Sequence, residues 1–345
     1  MTSPTKAEGS GSAVALDPEL VSTVESDKPQ ELVGRSPGQL MWIRFKRDRA
    51  GVLSACIVGF FFLIGLLAPV ISKLYGKDPY TVFADERPEL FDSAGVPLQP
   101  NGGISGEFWF GLEPGNGYDV FTKLIYGIRN SLGISLAVTI ATVLTGILLG
   151  VAAGYLGGKT DQLVSRTIDF LLAFPSQLFF IASMPVVVSL FVDPRDETPV
   201  YVRVVALIAV QWFLGWMSLA RILRGSTLSL AGREFIEAAR VSGAPPWRII
   251  RKEILPNVVT PILVQSTYML PAFVTAEAGL SFLGVGIVEP TPDWGQMFSK
   301  ASTELVMQND ITYMFFPGIS MIIFIVAFNL LGDSVRDAFD PKTAR

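Results

Sequence analysis

The amino-acid sequence predicts an all-α integral membrane protein with six transmembrane helices. Half of its 345 residues are hydrophobic and 17% are charged, and the mean hydropathy of +0.45 is too high for an ordinary soluble domain. Six apolar segments are long enough to cross the hydrocarbon core of a bilayer, which takes about 20 residues of helix. Their apolar residues do not alternate with polar ones, which excludes the strands of a membrane barrel.

The six predicted spans are rich in Leu, Ile, Val, Phe and Ala. Their bounds are 50–74, 132–155, 163–192, 202–223, 258–284 and 313–331. Prolines interrupt the third and fifth spans, and each proline removes one backbone hydrogen bond. Kinks are therefore expected at Pro175, Pro185, Pro261 and Pro271. Such kinks leave room for a translocation path or act as hinges, but proline is also frequent in ordinary membrane helices.

The placement of basic residues predicts which loops face the cytoplasm. The segment MWIRFKRDR before the first span is strongly basic, whereas the loop after that span is richer in acidic residues. Both termini are therefore expected in the cytoplasm. The predicted organisation is a disordered cytoplasmic tail (1–37), a basic flank with the first span (38–74), an extracytoplasmic loop (75–130), a core of five spans (131–333) and a cytoplasmic C-terminal tail (334–345).

Several kinds of chemistry are excluded by composition. The sequence contains no histidine and one cysteine, Cys56, inside the first span, so imidazole relays, the usual zinc sites and an internal disulfide are excluded. The run AGYLGGKT at residues 153–160 satisfies the loosest form of a phosphate-binding loop. That run closes a membrane span, whereas a working loop joins a strand to a helix. We therefore expect no metal, no other cofactor and no enzymatic activity on this chain.

A charged stretch, residues 234–261, lies between the fourth and fifth spans and is called here the hairpin segment. Its arginines and lysine place it in the cytoplasm. Gly243 suits the left-handed end of one helix, and Pro245 and Pro246 suit the first turn of another. We therefore expect two short helices in a hairpin at the membrane surface. The second helix should carry Trp247, Ile250 and Ile254 on its packing face.

Two interpretations of the hairpin segment are open from its residues alone. Ala238 and Ala239 permit close approach of another protein, and Glu237 offers a carboxylate to an arginine of that partner. These features favour a docking surface for a soluble protein. The alternative is an amphipathic helix that rests on anionic lipid.

The sequence EAA at residues 237–239, followed by Gly243 and by Leu255-Pro256, resembles the signature loop of permease subunits of binding-protein-dependent ABC importers. Glu253 stands where the family pattern places an isoleucine. The resemblance implies the transmembrane-domain fold of a type I ABC importer, whose coupling helix docks into a cleft of the ATP-binding subunit. The residues to which it assigns that contact are Glu237, Ala238, Ala239, Gly243, Ala244, Trp247, Leu255 and Pro256.

Other stretches resemble the peptide and nickel branch of these permeases, in its second-permease subfamily. Residues 275–297 are similar to the branch patterns EAxLSFLGLG and PxPxWG, and residues 328–342 to GDxLRDxLDP. Residues 111–132 resemble GTDxxGRDxxSRLxYGxRxSL less closely. The departures in that last stretch are Leu112, Tyr118 and Lys123.

Two acidic residues fall inside predicted spans, where a charge costs about 2.5 to 3.5 kcal/mol at the helix centre. Asp169 lies about two turns into the third span and is expected to hold that span against a neighbour through backbone or arginine contacts. Glu277 lies far along the fifth span and is expected near the external interface. For both residues, a packing role is favoured over contact with a substrate.

The resemblance implies a non-catalytic transmembrane subunit of an ATP-driven importer in the cell membrane of a prokaryote. Its partners would be a homologous second permease, two ATP-binding subunits that use the ATP, an extracytoplasmic substrate-binding protein and the lipid bilayer, with no nucleic acid. The implied substrates are di- and oligopeptides, and nickel chelates or oligosaccharides are alternatives. An ion-coupled secondary transporter is a different class, but the paired intramembrane charges and inverted repeats expected of it are not evident in the sequence.

Overall fold

Helices and loops account for the whole of the described structure, a computed structural model that covers residues 37–193 and 195–339. No β-strand occurs within those residues, as the predicted all-helical fold requires. The predicted tail over residues 1–37 lies outside the described residues except for Pro37. Residues 340–345 of the predicted C-terminal tail lie outside them as well.

The helices begin and end at residues set by caps, glycines and prolines. Asp48 caps α2 and Asp119 caps α4, each accepting a hydrogen bond from a backbone amide of the first turn. The bounds are α1 Pro37–Arg47, α2 Arg49–Tyr75, α3 Phe83–Glu86, α4 Val120–Leu156, α5 Gly158–Leu171, α6 Ser176–Ser189, α7 Val200–Ala231, α8 Glu234–Val241, α9 Pro246–Ile249, α10 Leu255–Phe282, α11 Trp294–Ala301, α12 Glu304–Asn309 and α13 Thr312–Phe339.

Five of the described helices are long and apolar enough to cross a membrane. They are α2, α4, α7, α10 together with the turns that precede it, and α13. Each corresponds to one predicted span. Helix α13 continues to Phe339, so residues 334–339, placed in the C-terminal tail by the sequence, are helical.

The third predicted span is a broken one. Its two parts, α5 and α6, meet at an angle of 90° across a break of four residues. The break ends at Pro175, whose ring disfavours helical backbone at the residue before it and whose nitrogen has no hydrogen to donate. A kink was expected here, but the interruption is larger than a kink. Pro185, by contrast, lies inside α6.

Close contact between α4 and α7 forms the centre of the fold. A Cβ atom added at Gly150 would lie 2.6 Å from the carbonyl oxygen of Ala220, and one added at Gly154 would lie 2.7 Å from that of Arg224. These glycines stand four residues apart, a spacing of small residues that lets membrane helices approach through their backbones. Helices α4 and α7 therefore provide a shared wall for the remaining elements.

The described residues form two large apolar cores, and both include residues of α4. One core joins α4, α7 and α10 and includes Leu219, Leu223 and Val258. The other is centred on Trp294 of α11, which lies against the rings of Phe61 and Phe324. The described residues from Met41 onward form one compact unit.

We predict that Gly150→Ala destabilises the protein, because the added methyl group has to displace the backbone of α7. Overpacking of this kind costs roughly 1–3 kcal/mol. The thermal unfolding midpoint of the full-length chain in lipid nanodiscs measures the effect. Gly133→Ala is the matched control, because Gly133 lies on the same helix with nothing within 4 Å of its added Cβ. Equal midpoints for the two variants would contradict the α4–α7 contact.

Candidate functional site

The hairpin segment opens with α8 and reverses direction at Gly243. The backbone of Gly243 has φ +77°, the left-handed conformation that glycine adopts without strain. The Gly243 amide donates to the carbonyl of Arg240 at 2.9 Å, and the Ala244 amide donates to that of Ala239 at 3.1 Å. The reversal that the sequence predicts at Gly243 is therefore present and is closed by backbone hydrogen bonds.

The second arm of the hairpin is continuous with the fifth span. Helix α9 passes through one π-helical stretch, Ile250–Ile254, directly into α10. The second helix predicted from the sequence begins at Pro246, as expected, but it continues into the fifth span instead of ending as a short helix. Pro256 supplies the physical reason for the π stretch, since a proline ring clashes with the carbonyl four residues earlier in a regular α-helix. The wider turn relieves that clash while the chain stays helical.

Three isoleucines anchor the hairpin to the membrane helices. Ile236, Ile249 and Ile254 are buried and belong to the core that joins α4, α7 and α10. The predicted packing face included Trp247, but 66% of that side chain is exposed. The prediction assumed a regular α-helical period, whereas Ile249 and Ile254 stand five residues apart across the π stretch. Ile250 is half-buried against the same core.

The outer surface of the hairpin combines exposed apolar side chains with charges. Val241 is 91% exposed and Phe235 is 41% exposed. The carboxylate of Glu237 is exposed and has no ion-pair partner in the part of the chain that the structure describes. The guanidinium of Arg240 lies 5.1 Å from the ring centroid of Tyr155 and so ties α8 to the end of α4. The exposed apolar side chains and the exposed carboxylate of Glu237 suit contact with another protein.

The eight residues assigned to ATPase contact fall into two groups. Ala239, Ala244 and Leu255 are half-buried and pack against the core that joins α4, α7 and α10. The exposed members are Glu237, Ala238, Gly243, Trp247 and Pro256.

Asp169 pairs with an arginine of α7, in agreement with the expected arginine contact. Its Oδ1 atom lies 2.5 Å from Nη2 of Arg221. One turn further along α7, Arg224 binds Asp161 through two hydrogen bonds, of which the Nη2–Oδ2 bond measures 2.8 Å. The two pairs link α5 to α7. The sequence analysis did not identify Arg221 as the partner, although a basic residue inside a predicted span is itself a signal.

A cavity of about 350 Å³ opens between α6, α7 and α10. Much of its wall is apolar and includes Phe180, Met217 and Phe273. The polar residues of the wall are Ser176, Gln177, Ser218, Gln265 and Tyr268. The volume lies in the range of small-molecule sites.

Glu277 is fully buried against α11. Its carboxyl group lies beside that of Asp293, the residue that caps α11. Burial raises the pKa of Asp293 to about 6. The sequence analysis missed this partner, because Asp293 lies across a loop within the motif PTPDWG.

The three departures from the family pattern within residues 111–132 cluster around one buried ion pair. Nζ of Lys123 lies 2.7 Å from Oε2 of Glu113, with both side chains fully buried. The same ammonium group lies 4.4 Å from the ring centroid of Tyr118, and Leu112 packs with Phe91 and Phe108 nearby. Tyr313 donates a hydrogen bond to the same Glu113 oxygen at 2.8 Å. Among the described residues no cluster of His, Cys, Asp and Glu is arranged to hold a metal ion.

Comparison with known proteins identifies similar chains over nearly the whole length. Residues 146–345 match the model of the binding-protein-dependent transport system inner membrane component. Residues 36–91 match that of the N-terminal transmembrane domain of oligopeptide transport permease C.

Three relatives are each 33% identical to this chain. The dipeptide transport system permease protein DppC of Alkalihalophilus pseudofirmus aligns over 89% of this chain and 90% of its own length. The oligopeptide transport system permease protein OppC of Haemophilus influenzae aligns over 90% and 91%. The glutathione transport system permease protein GsiD of Shigella sonnei aligns over 91% and 93%.

One solved structure shares the fold. A chain of the MetNI methionine ABC transporter in inward-facing conformations superposes with a TM-score of 0.51 and 19% identity, over 64% of this chain and 97% of that chain. This likeness confirms the predicted fold class, the transmembrane domain of a type I ABC importer.

We predict that Lys123→Met lowers the unfolding free energy by about 3 kcal/mol, because it removes the fully buried cation at 2.7 Å from the Glu113 carboxylate and leaves it only Lys300 at 3.6 Å. Adding Glu113→Gln should recover part of the loss, since the neutral amide needs no counter-charge. Thermal unfolding of the full-length chain in nanodiscs measures both variants. Arg87→Met serves as the control, because Arg87 pairs with Glu107 at the exposed surface and such pairs contribute little. A loss from Arg87→Met as large as that from Lys123→Met would refute the special role of burial.

Proposed function

The chain belongs to the family of binding-protein-dependent transport system inner membrane components, and we propose that it forms half of the translocation path of an ATP-driven importer of di- and oligopeptides. As a family member of this kind it is a multi-pass permease subunit. A homologous second permease would supply the other half of the path. Two ATP-binding subunits would engage the two permeases in the cytoplasm, and an extracytoplasmic binding protein would deliver the substrate.

The observation that carries this proposal is the continuity of the hairpin segment with α10. The outer surface of the hairpin exposes Glu237, Val241 and Trp247 to the solvent. Its buried isoleucines hold it against α4 and α7, so a displacement of the hairpin reaches α10 without passing through a flexible loop. Closure of the ATP-binding subunits would pull on this surface and favour one of two packings of the spans. The ATP is bound and hydrolysed by the partner subunits, and this chain is not an enzyme.

The cavity between α6, α7 and α10 supports the placement of the path. Amide and hydroxyl groups line part of it, in particular Gln177, Gln265 and Ser218. Helix α10, which continues the hairpin, forms one of its walls. A movement of the hairpin would thus change the shape of the cavity, and the second permease would close its open side.

The orientation of the chain follows from the same scheme. The hairpin must face the ATP-containing side, so α8 and α9 lie in the cytoplasm. Both chain termini would then also be cytoplasmic, and the loop before α4 would be external. The membrane is the cell membrane of a prokaryote, since the relatives reported above are bacterial.

Peptides are the favoured substrates because the three relatives are named for dipeptide, oligopeptide and glutathione transport. Dipeptides, oligopeptides and glutathione all contain peptide bonds. Nickel chelates and oligosaccharides are the alternative cargoes, carried by the same mechanism.

We predict that Glu237→Lys weakens binding of the ATP-binding subunits by at least about tenfold. The new lysine would face the arginine expected on the partner, and like charges brought together at an interface cost several kcal/mol. ATP-dependent uptake should fall with it, while the amount of the chain in the membrane stays normal. Co-purification of the subunits and uptake into cells measure the two effects. Glu304→Lys, at an exposed position on α12, is the control and should leave both unchanged. Intact subunit binding and uptake in Glu237→Lys would favour a hairpin that rests on lipid.

We predict that cells with the complete complex take up a labelled dipeptide, and that matched cells without this chain do not. The uptake should require ATP and persist when ion gradients are collapsed. Import of nickel chelates or oligosaccharides in place of the dipeptide would replace the substrate but keep the mechanism. Uptake that depends on an ion gradient and not on ATP would overturn both.

A further inference from the structure

Two buried carboxyl groups meet at the junction between α10 and α11. The side chains of Glu277 and Asp293 are both fully buried, and their carboxyl groups lie close enough to interact directly. The hydroxyl of Ser281 donates to Oε1 of Glu277 at 3.3 Å. The backbone amide of Gln296 donates to Oδ1 of Asp293 at 2.5 Å. Each carboxyl group thus has a donor on one of its two oxygens.

The second oxygen of each group has no donor in hydrogen-bonding geometry. The hydroxyl of Ser131 lies beside Glu277 and accepts a hydrogen bond from the backbone amide of Trp294 at 3.3 Å. Oε2 of Glu277 and Oδ2 of Asp293 are both buried and have no hydrogen-bond partner within the described residues. A carboxylate has only acceptors, so two ionised groups provide no hydrogen for a bond between them. They would also repel one another, because both are buried in a region of low dielectric. One proton on the pair resolves both difficulties, because it supplies the missing donor and removes one negative charge.

The charged groups around the pair do not replace that proton. Lys123 of α4 is the cation that acts on Asp293, but its ammonium group is bound to Glu113 at 2.7 Å. Lys300 of α11 lies 3.6 Å from the same Glu113. No lysine or arginine among the described residues forms an ion pair with Glu277 or Asp293.

We propose that Glu277 and Asp293 form a buried site that binds one proton, and that this proton fastens α11 to α10. The two helices touch through their backbones here, since a Cβ atom added at Gly295 would lie 2.2 Å from the carbonyl oxygen of Ala278. Trp294 links α11 to the last span, α13, because its Nε1 atom donates to the hydroxyl of Ser320 at 2.9 Å. Loss of the proton places two negative charges in this contact and loosens α11.

The direction of the pH dependence follows from the proton that the folded chain retains. Burial raises the pKa of Asp293 from 3.8 to about 6, so the folded state binds a proton that the unfolded state releases. The part of this effect that Asp293 contributes is complete below pH 3.8 and is lost as the pH rises through about 6. Glu277 holds the single proton that then remains on the pair. The site therefore stabilises the packing of α11 in mildly acidic surroundings and weakens it in alkaline ones.

Infrared spectroscopy of the full-length chain, co-purified with its partner subunits in nanodiscs, tests the site directly. The wild-type protein should show the carbonyl stretch of a protonated carboxyl group at pH values above the ordinary pKa range of Asp and Glu side chains. Glu277→Gln should remove that band, because the amide takes the place of the protonated acid and donates to Asp293. Glu304→Gln is the matched control on the exposed surface of α12 and should leave the band in place.

Thermal unfolding across pH provides a second measurement that does not depend on transport. The wild-type midpoint should fall as the pH is raised from mildly acidic to alkaline, and Glu277→Gln should flatten this fall, whereas Glu304→Gln should reproduce the wild-type curve. A wild-type spectrum without the protonated-carboxyl band overturns the proposal. So does a pH dependence of Glu277→Gln that equals that of the wild type. Neither result would affect the proposed import function, whose own test is subunit binding and uptake.

Discussion

The backbone contact between α4 and α7 is the constraint on which the other elements depend. In lipid the hydrophobic effect does not drive helices together, so association rests on close packing and on hydrogen bonds. Gly150 and Gly154 let the two helices meet without intervening side chains. The core built on this contact also holds the three buried isoleucines of the hairpin segment. In the proposed mechanism, a rigid α4–α7 contact would let a pull on the hairpin move α10 instead of deforming its surroundings.

The ion pairs at the two ends of the α4–α7 contact differ in their burial. Near the hairpin, the pairs of Asp161 and Asp169 with arginines of α7 are partly exposed. Around α11, the charges of Glu113 and Lys123 are fully buried and are held by further hydrogen bonds. A buried pair tolerates little displacement, because separation of its charges in a medium of low dielectric is costly. The arrangement thus combines a fully buried ion pair near α11 with more exposed pairs beside the hairpin.

Much of this architecture was predictable from local sequence signals. Apolar length located all six spans, and Gly243 marked the reversal of the hairpin because few other residues adopt its backbone conformation. Contacts between distant residues were not predictable in the same way. Asp293 is sixteen residues from Glu277 in the sequence, and nothing in the intervening loop indicates that the two carboxyl groups meet.

Periodicity failed where the helix itself is irregular. The position of Trp247 was predicted from a regular α-helical repeat, which the π stretch interrupts. The break between α5 and α6 was underestimated for a related reason. A proline signals that a hydrogen bond is missing, but the angle that results depends on what packs on either side. In both cases the residue that disturbs the helix was evident, and the size of the disturbance was set by tertiary contacts.

The π stretch also fixes the rotational setting of the hairpin. Each residue of a regular helix turns the chain by about 100°, whereas a π stretch takes up one extra residue within a single turn. If the same five residues adopted regular α geometry instead, the hairpin would rotate about the axis of α10. The isoleucines would then leave their core, and the exposed face would point elsewhere. The number of residues between Gly243 and Pro256 is therefore as constrained as their identity. An exchange of hairpins between related permeases should succeed only when that count is conserved.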